Sequence, residues 1–275
     1  MPRSVGAVAV AAVSALVVGT GVWLAQGQAD AGGYRGQRLA VPAYWGPDQR
    51  GKPIFDDLAA AGPRLGLVVL NGPASGPPTP FDPATAAQIR RFYHQGVTVL
   101  GYVDTGYLGR TGHTTTRVNG GSTELADWRA QAARDSETWF ALYGEYGLDG
   151  VFLDQTVSSC GADDVYVDTY HALADGLRRT VPDAFVALNP GTHAEECYAE
   201  VADALVLFEN TYATYRDWAP PSWVHRYPAA MFWHLVHDTP TVAEMRDAVA
   251  RSRERHAGLL YVTNHAITET STPWN

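Results

Sequence analysis

Asp149-Gly150-Val151-Phe152-Leu153-Asp154-Gln155-Thr156 contains a short apolar run that ends abruptly in a carboxylate. Residues 204–210, Ala204-Leu205-Val206-Leu207-Phe208-Glu209-Asn210, repeat the pattern. A run of this kind reads as a strand buried on both faces. Only the side chains at its exit escape the core, so a carboxylate there sits on a rim where its pKa is tuned without the cost of full burial.

Runs of the same type occur at 38–45, 65–72, 97–104, 150–155, 185–191, 204–210, 229–237 and 258–264, eight in all. Between most of them the apolar residues follow a helical period. Asp82-Pro83 caps and opens a helix that closes at Gly96; Ser122-Thr123 open a longer one with Leu125, Trp128, Ala132, Trp139 and Leu142 at core spacing; 163–181 and 241–256 read alike. Strands alternating with helices imply parallel pairing through right-handed crossovers, and eight such units match a (β/α)8 TIM barrel of the α/β class. An open doubly wound sheet is the competing arrangement. Eleven residues follow Asn264, so the last helix is expected to be rudimentary or missing.

The domain organisation follows. Arg3 precedes an almost wholly apolar stretch from Val5 to Ala25, and Ala29-Asp30-Ala31 resembles a cleavage site, so residues 1–31 read as a signal peptide or an N-terminal membrane anchor. Residues 32–37 form a linker, 38–268 the barrel and 269–275 a C-terminal tail. The protein is expected outside the cytoplasm, secreted or membrane-anchored, as a monomer. A composition of 46% hydrophobic and 18% charged residues is that of a globular domain, and a formal charge of -9 argues against nucleic acid, which wants clustered cations.

Cys160 and Cys197 are the two cysteines, each just after a strand exit, the fourth and the fifth. Adjacent strands put both loops on one face, and an exported chain meets oxidising conditions. A disulfide is expected, with two free buried thiols as the alternative.

Barrel active sites gather at the C-terminal ends of the strands. The residues there include Tyr44, Trp45, Asn71, Asp104, Asp154, Gln155, Asn189, Glu209 and Asn210, with Tyr212 close behind. Acids, amides and aromatic rings in one cleft are the chemistry of sugar recognition, since paired amides and carboxylates bond hydroxyls while flat rings stack on a pyranose. The aromatic stretch after Glu209 reads either as part of that supply or as a Pro-broken loop that covers core. Strands four and six feed the same interior layer, so Asp154 and Glu209 face each other as a candidate catalytic pair. The alternative makes one or both of them helix caps or members of a structural ion pair.

Other machinery is poorly represented. His234 and His237 lie three apart on a strand and point to opposite faces, which does not build a zinc site; phosphate-binding loops and a nucleophile elbow are absent from the sequence. No metal or cofactor is expected.

The segments Val41-Pro42-Ala43-Tyr44-Trp45, Asn71-Gly72-Pro73, Gly101-Tyr102-Val103-Asp104-Thr105, Asp149 to Asp154 and Phe208-Glu209, in this order, resemble the spherulin-4-like proteins over roughly residues 38–268. The resemblance implies a (β/α)8 barrel related to glycoside hydrolases that act on α-1,4-linked, galactosamine-containing exopolysaccharide. It implies catalytic carboxylates at Asp154 and Glu209 and, in the hydrolases, a third where this chain has Gln155. Two acids suffice for the chemistry. Glu209 is expected as general acid and Asp154 as nucleophile or base, with the exchanged assignment open. Gln155 cannot titrate but can bond a hydroxyl or an N-acetyl group; Asp104, Tyr44, Trp45, Asn189, Asn210 and Tyr212 are expected to bind substrate. A polysaccharide-binding barrel that does not cut is the second reading.

Overall fold

The computed structural model describes residues 36–44, 52–110 and 122–267, together with a short antiparallel pairing of Leu16–Val17 with Trp23–Leu24. The rest of the segment 1–31, most of the linker, Trp45 and the tail 269–275 lie outside the described residues. Among the described residues no helix is long and apolar enough to cross a membrane.

Eight strands carry the fold: β1 (Arg38–Ala43), β2 (Leu65–Leu70), β3 (Thr98–Asp104), β4 (Gly150–Asp154), β5 (Phe185–Asn189), β6 (Ala204–Thr211), β7 (Phe232–His237) and β8 (Leu259–Val262). Each pairs in parallel with the next, and β8 pairs with both β7 and β1, which closes the barrel and excludes the open sheet. Strands β2, β7 and β8 are buried along their whole length, as continuous apolar runs require.

The helices among the described residues are α1 (Lys52–Ala60), α2 (Pro83–His94), α3 (Leu125–Tyr143), α4 (Val165–Thr180), α5 (Tyr212–Asp217) and α6 (Val242–Glu254). The expected caps form. Asp82 accepts from the N–H groups of Ala84 and Thr85 ahead of Pro83, and Thr241 with Glu244 makes a capping box on α6. Helix α4 starts two residues later than the sequence pattern suggests, because Asp163 and Asp164 both take left-handed φ of 50° and 59°. Two departures are larger. Between β5 and β6 a 3-10 segment, Glu196–Glu200, stands in place of an α-helix. After β6 the chain turns into α5, capped by the Thr211 hydroxyl, where the sequence suggested sugar-binding aromatics or a broken loop. From β8 to residue 267 no helix follows.

Helix α3 fixes the exit of β3. The Trp139 indole N–H donates to the Tyr102 carbonyl at 2.7 Å, and the ring lies where a Cβ on Gly101 would come within 2.4 Å of it. Trp128 similarly occupies the space beside Gly106, whose φ is +53°. Both tryptophans are fully buried. Glycine at these positions lets two indoles press directly on the backbone that carries Tyr102 and Asp104.

Cys160 and Cys197 are joined, with Cα atoms 6.3 Å apart and a sequence separation of 37. The bridge ties the loop after β4 to the segment after β5, and the Cys160 N–H donates to Glu195 at 2.7 Å beside it. Closing a loop of this size contributes about 2–4 kcal/mol. Mass spectrometry of the unreduced protein should therefore find no alkylatable thiol, and replacing both cysteines by alanine should lower the unfolding free energy by that amount in denaturant titration. Two reactive thiols in the native protein would contradict the pairing.

Candidate active site

Strand register brings Asp104, Asp154 and Asn189 side by side at the exits of β3, β4 and β5. Glu209 joins them from β6 because that strand carries a register shift between Val206 and Phe208 against β7. Beyond the shift Phe208 packs outward, 4.6 Å from Tyr215 and 5.0 Å from Trp218 by ring centroids, and Glu209 turns inward. A single-residue slip swaps the faces of a strand, so this irregularity decides which side chain enters the mouth.

The Asn189 side chain holds the two acids together. Its Nδ2 donates one hydrogen to Asp154 Oδ1 at 2.7 Å and one to Glu209 Oε2 at 2.7 Å. Its Oδ1 accepts from the Gly191 N–H at 2.9 Å, which fixes the orientation of the amide. The two carboxylate oxygens are thus separated by less than twice 2.7 Å. The second Asp154 oxygen accepts from the Tyr102 hydroxyl at 2.6 Å.

Backbone geometry behind Asp154 is equally constrained. Gln155 takes a left-handed φ of 54°, and the bend is clamped by Thr105, whose N–H and hydroxyl both donate to the Asp154 carbonyl while the hydroxyl also reaches the Gln155 carbonyl at 2.9 Å. The Tyr107 N–H donates to the same Gln155 carbonyl at 2.7 Å, and Tyr107 and Leu108 are themselves left-handed. Non-glycine residues in this region concentrate at functional sites.

Electrostatics follow from burial and proximity. Desolvation, then the neighbouring Glu209, raise Asp154 from 3.8 to about 7, against the opposing bonds from Tyr102 and the Gln155 N–H. Burial pushes the Tyr44 and Tyr102 phenols well above their usual range, and the Asp154 charge adds to both. Tyr107 is raised by burial and by Asp154 and Glu209. One pair of acids thus shares a site with three protonated phenols. This arrangement can donate a proton, present a carboxylate and bond hydroxyls in one place.

Of the residues singled out in the sequence, Asp154, Glu209, Asn189 and Tyr44 converge, Gln155 follows Asp154 directly, and Asp104 is near enough for its charge to act on Asp154. Tyr44 packs edge-on against Tyr102 at 5.2 Å. The Gln155 side-chain oxygen is buried without a hydrogen-bond partner. Asp104 is 1% exposed and accepts from the Gly106 N–H at 2.8 Å, so it shapes the turn that carries Tyr107. Asn210 is exposed, and its oxygen accepts from the Thr211 N–H and the Thr214 hydroxyl at the start of α5. Tyr212 does not reach the mouth. It lies on α5 with its hydroxyl on Asp247 of α6 at 2.9 Å, because the segment after Glu209 folds as a helix that buries its aromatics against the outside of the barrel. Tyr102 and Tyr107 were missed as site residues. Tyr102 stands two before Asp104 on one strand and so shares its face, a signal present in the sequence; Tyr107 depends on a left-handed turn that no residue pattern announces.

Among the described residues, Cys160, Glu195 and Cys197 form the one grouping of three potential metal ligands, and both of its sulfurs are committed to the disulfide.

The chain is similar to several known proteins. Spherulin-4 of Physarum polycephalum is 25% identical over 83% of this chain and 64% of its own length, so the chain spans a little under two thirds of that relative. Sph3 of Aspergillus clavatus, solved in complex with GalNAc, superposes with a TM-score of 0.64 at 25% identity, covering 84% of this chain and 90% of that one. The glycoside hydrolase domain of PelA from Pseudomonas aeruginosa is 17% identical, with 83% and 96% covered and a TM-score of 0.46. Residues 38–275 match the spherulation-specific family 4, and it is to this family that the chain belongs.

Proposed function

We propose that this protein is a retaining glycoside hydrolase that cleaves α-1,4-linked, galactosamine-containing exopolysaccharide outside the cell. The observation that carries the reading is the single amide of Asn189 holding both carboxyls at 2.7 Å. An oxygen separation of less than twice 2.7 Å is closer to the roughly 5–5.5 Å associated with a covalent glycosyl-enzyme than to the roughly 6.5–9.5 Å that leaves room for a directly attacking water. The GalNAc complex of Sph3 supports an N-acetylated amino sugar as the unit recognised.

The roles read from the sequence are exchanged in this proposal. Asp154 carries the shared proton at rest, since burial and the Glu209 charge both oppose its ionisation. In the first step Glu209 attacks the anomeric carbon, the glycosidic C–O bond breaks, and the Asp154 proton passes to the leaving oxygen. In the second, Asp154 takes a proton from water as that water attacks the anomeric carbon and releases Glu209. Asn189 keeps both acids in register through both steps, and Tyr102 bonds Asp154 in each ionisation state. A non-catalytic polysaccharide-binding barrel is the second reading, favoured by Gln155, an amide with an unpartnered oxygen where the related hydrolases carry a carboxylate.

Release of reducing ends from an α-1,4-galactosamine polymer separates the two; retention on the polymer without release supports the binding module. Asp154→Asn and Glu209→Gln should each lower turnover at least about a hundredfold, and the double variant should be scarcely worse than the more damaging single one, as members of one catalytic unit are not additive. A single variant that keeps more than a tenth of the parent activity would refute the pair.

The pH dependence has a defined sign. A carboxyl raised from 3.8 to about 7 favours the fold while neutral and loses that contribution as pH climbs through this window. The alkaline limb of kcat/KM should accordingly lie near 7. By thermal melts, Asp154→Asn should match the parent at pH 4 and exceed it in stability at pH 8, whereas loss of stability at both values would mark a structural pair. Gln155→Glu, which adds a third charge beside Asp154, should move the alkaline limb upward and increase activity on galactosamine polymer. An unchanged or lower rate with the fold intact would mean that the amide serves a different sugar.

A further inference from the structure

A second cleft opens beside the catalytic pair. It has a volume of about 390 Å³ and is lined by Tyr44, Asn71, Pro73, Pro78, Thr79 and Asp82 among others. The size suits one sugar ring with room for its substituents. Tyr44 belongs to both places: its ring packs on Tyr102, whose hydroxyl bonds Asp154, and its opposite surroundings are the walls of this cleft.

The walls are rigid. The Gly72 N–H donates to the Gly76 carbonyl at 2.8 Å, and a Cβ on Gly72 would come within 2.5 Å of that same oxygen, so the turn closes only with glycine. The Tyr143 hydroxyl donates to the Pro78 carbonyl at 3.0 Å and accepts from the Asp82 N–H at 2.9 Å, which pins both ends of the next stretch. Prolines 73, 78 and 80 face the cleft with apolar surface, the kind that packs on the C–H face of a pyranose.

Its polar groups are unequal. Asp82 spends both carboxylate oxygens on Ala84, Thr85 and the Thr85 hydroxyl as the cap of α2. The Asn71 side-chain oxygen, at the exit of β2, is buried and has no hydrogen-bond partner. A buried acceptor left unmade is costly, and in a cleft the economical explanation is a ligand that supplies the donor.

We propose that Asn71, Tyr44 and the proline-lined turn form a further sugar subsite near the catalytic pair, in which Asn71 accepts a hydrogen bond from a hydroxyl or acetamido N–H of a chain unit beyond the two that flank the scissile bond. The proposal rests on the glycoside-hydrolase reading and extends it: an enzyme that grips a unit beyond the two flanking the scissile bond prefers chains longer than a dimer. Asn71 is a specificity-determining residue in this scheme.

The test uses N-acetylated α-1,4-galactosamine oligosaccharides of two and six units. The readout is the ratio of kcat/KM for the hexamer to that for the dimer, which a general loss of structure does not move. Asn71→Ala should lower this ratio about tenfold, as expected for a hydrogen bond made by the longer substrate alone, while Asn71→Asp, which keeps the acceptor, retains the parent ratio. Should the alanine variant fail to fold, Asn71→Leu, of similar volume, takes its place under the same criterion. A ratio unchanged in the folded variant overturns the subsite. If the parent protein cuts neither sugar, the hydrolase reading falls, and calorimetric binding of the hexamer decides the subsite by itself: affinity weakened by Asn71→Ala upholds it, and affinity unaffected overturns it.

Discussion

The bond from one Asn189 amide to two carboxylates is the constraint on which the rest of this molecule depends. Two charges about 5 Å apart repel by roughly 3 kcal/mol at an effective dielectric near 20, and a hydrogen bond to a charged group returns about 1.5–3 kcal/mol. The two bonds of the amide together offset the repulsion, and the desolvation of Asp154 remains, opposed only in part by the Tyr102 hydroxyl and the Gln155 N–H. The pair settles this by keeping one proton near neutrality, as like-charged acids in a common site do. Such an arrangement costs stability, and it survives because the barrel around it leaves the acids nowhere else to go.

That rigidity is built from behind. Two tryptophans of α3 press on glycine backbone at β3, Thr105 forks onto the carbonyls of Asp154 and Gln155, and the disulfide braces the neighbouring loops. The left-handed conformations of Gln155, Tyr107 and Leu108 lie within this clamp. Strain of order 1–3 kcal/mol at such residues persists only where surrounding contacts over-determine the chain. Asp104 joins the same clamp: its carboxylate holds the Gly106 N–H and so sets the turn that delivers Tyr107.

Gln155 gains a physical rationale in this setting. A carboxylate here would be a third negative charge within reach of Asp154 and would raise its pKa further. An amide keeps polarity without that penalty and leaves an unpartnered oxygen to bond a substrate group. Together with Asn71 the mouth then presents two buried acceptors that lack donors, a pattern suited to a ligand rich in hydroxyl and amide N–H groups.

Much of this was legible in the chain itself. Eight apolar runs with capped helices between them determined the barrel, because a strand buried on both faces must read as a continuous apolar run and a parallel neighbour needs a crossover. Asp154, Glu209 and Asn189 were found by their places at strand exits, and the cysteine pairing by the adjacency of two loops. The fate of Tyr212 and Asn210 was not legible, since α5 forms only where outer helix α6 offers its aromatics a surface to cover. Strand parity put Glu209 in the layer of Asp154, but the one-residue irregularity in β6 by which it enters the mouth leaves no mark in composition or period. Sequence determines which residues stand at the rim through local, periodic signals; only the closed barrel, by packing and register summed over distant strands, decides which of them meet.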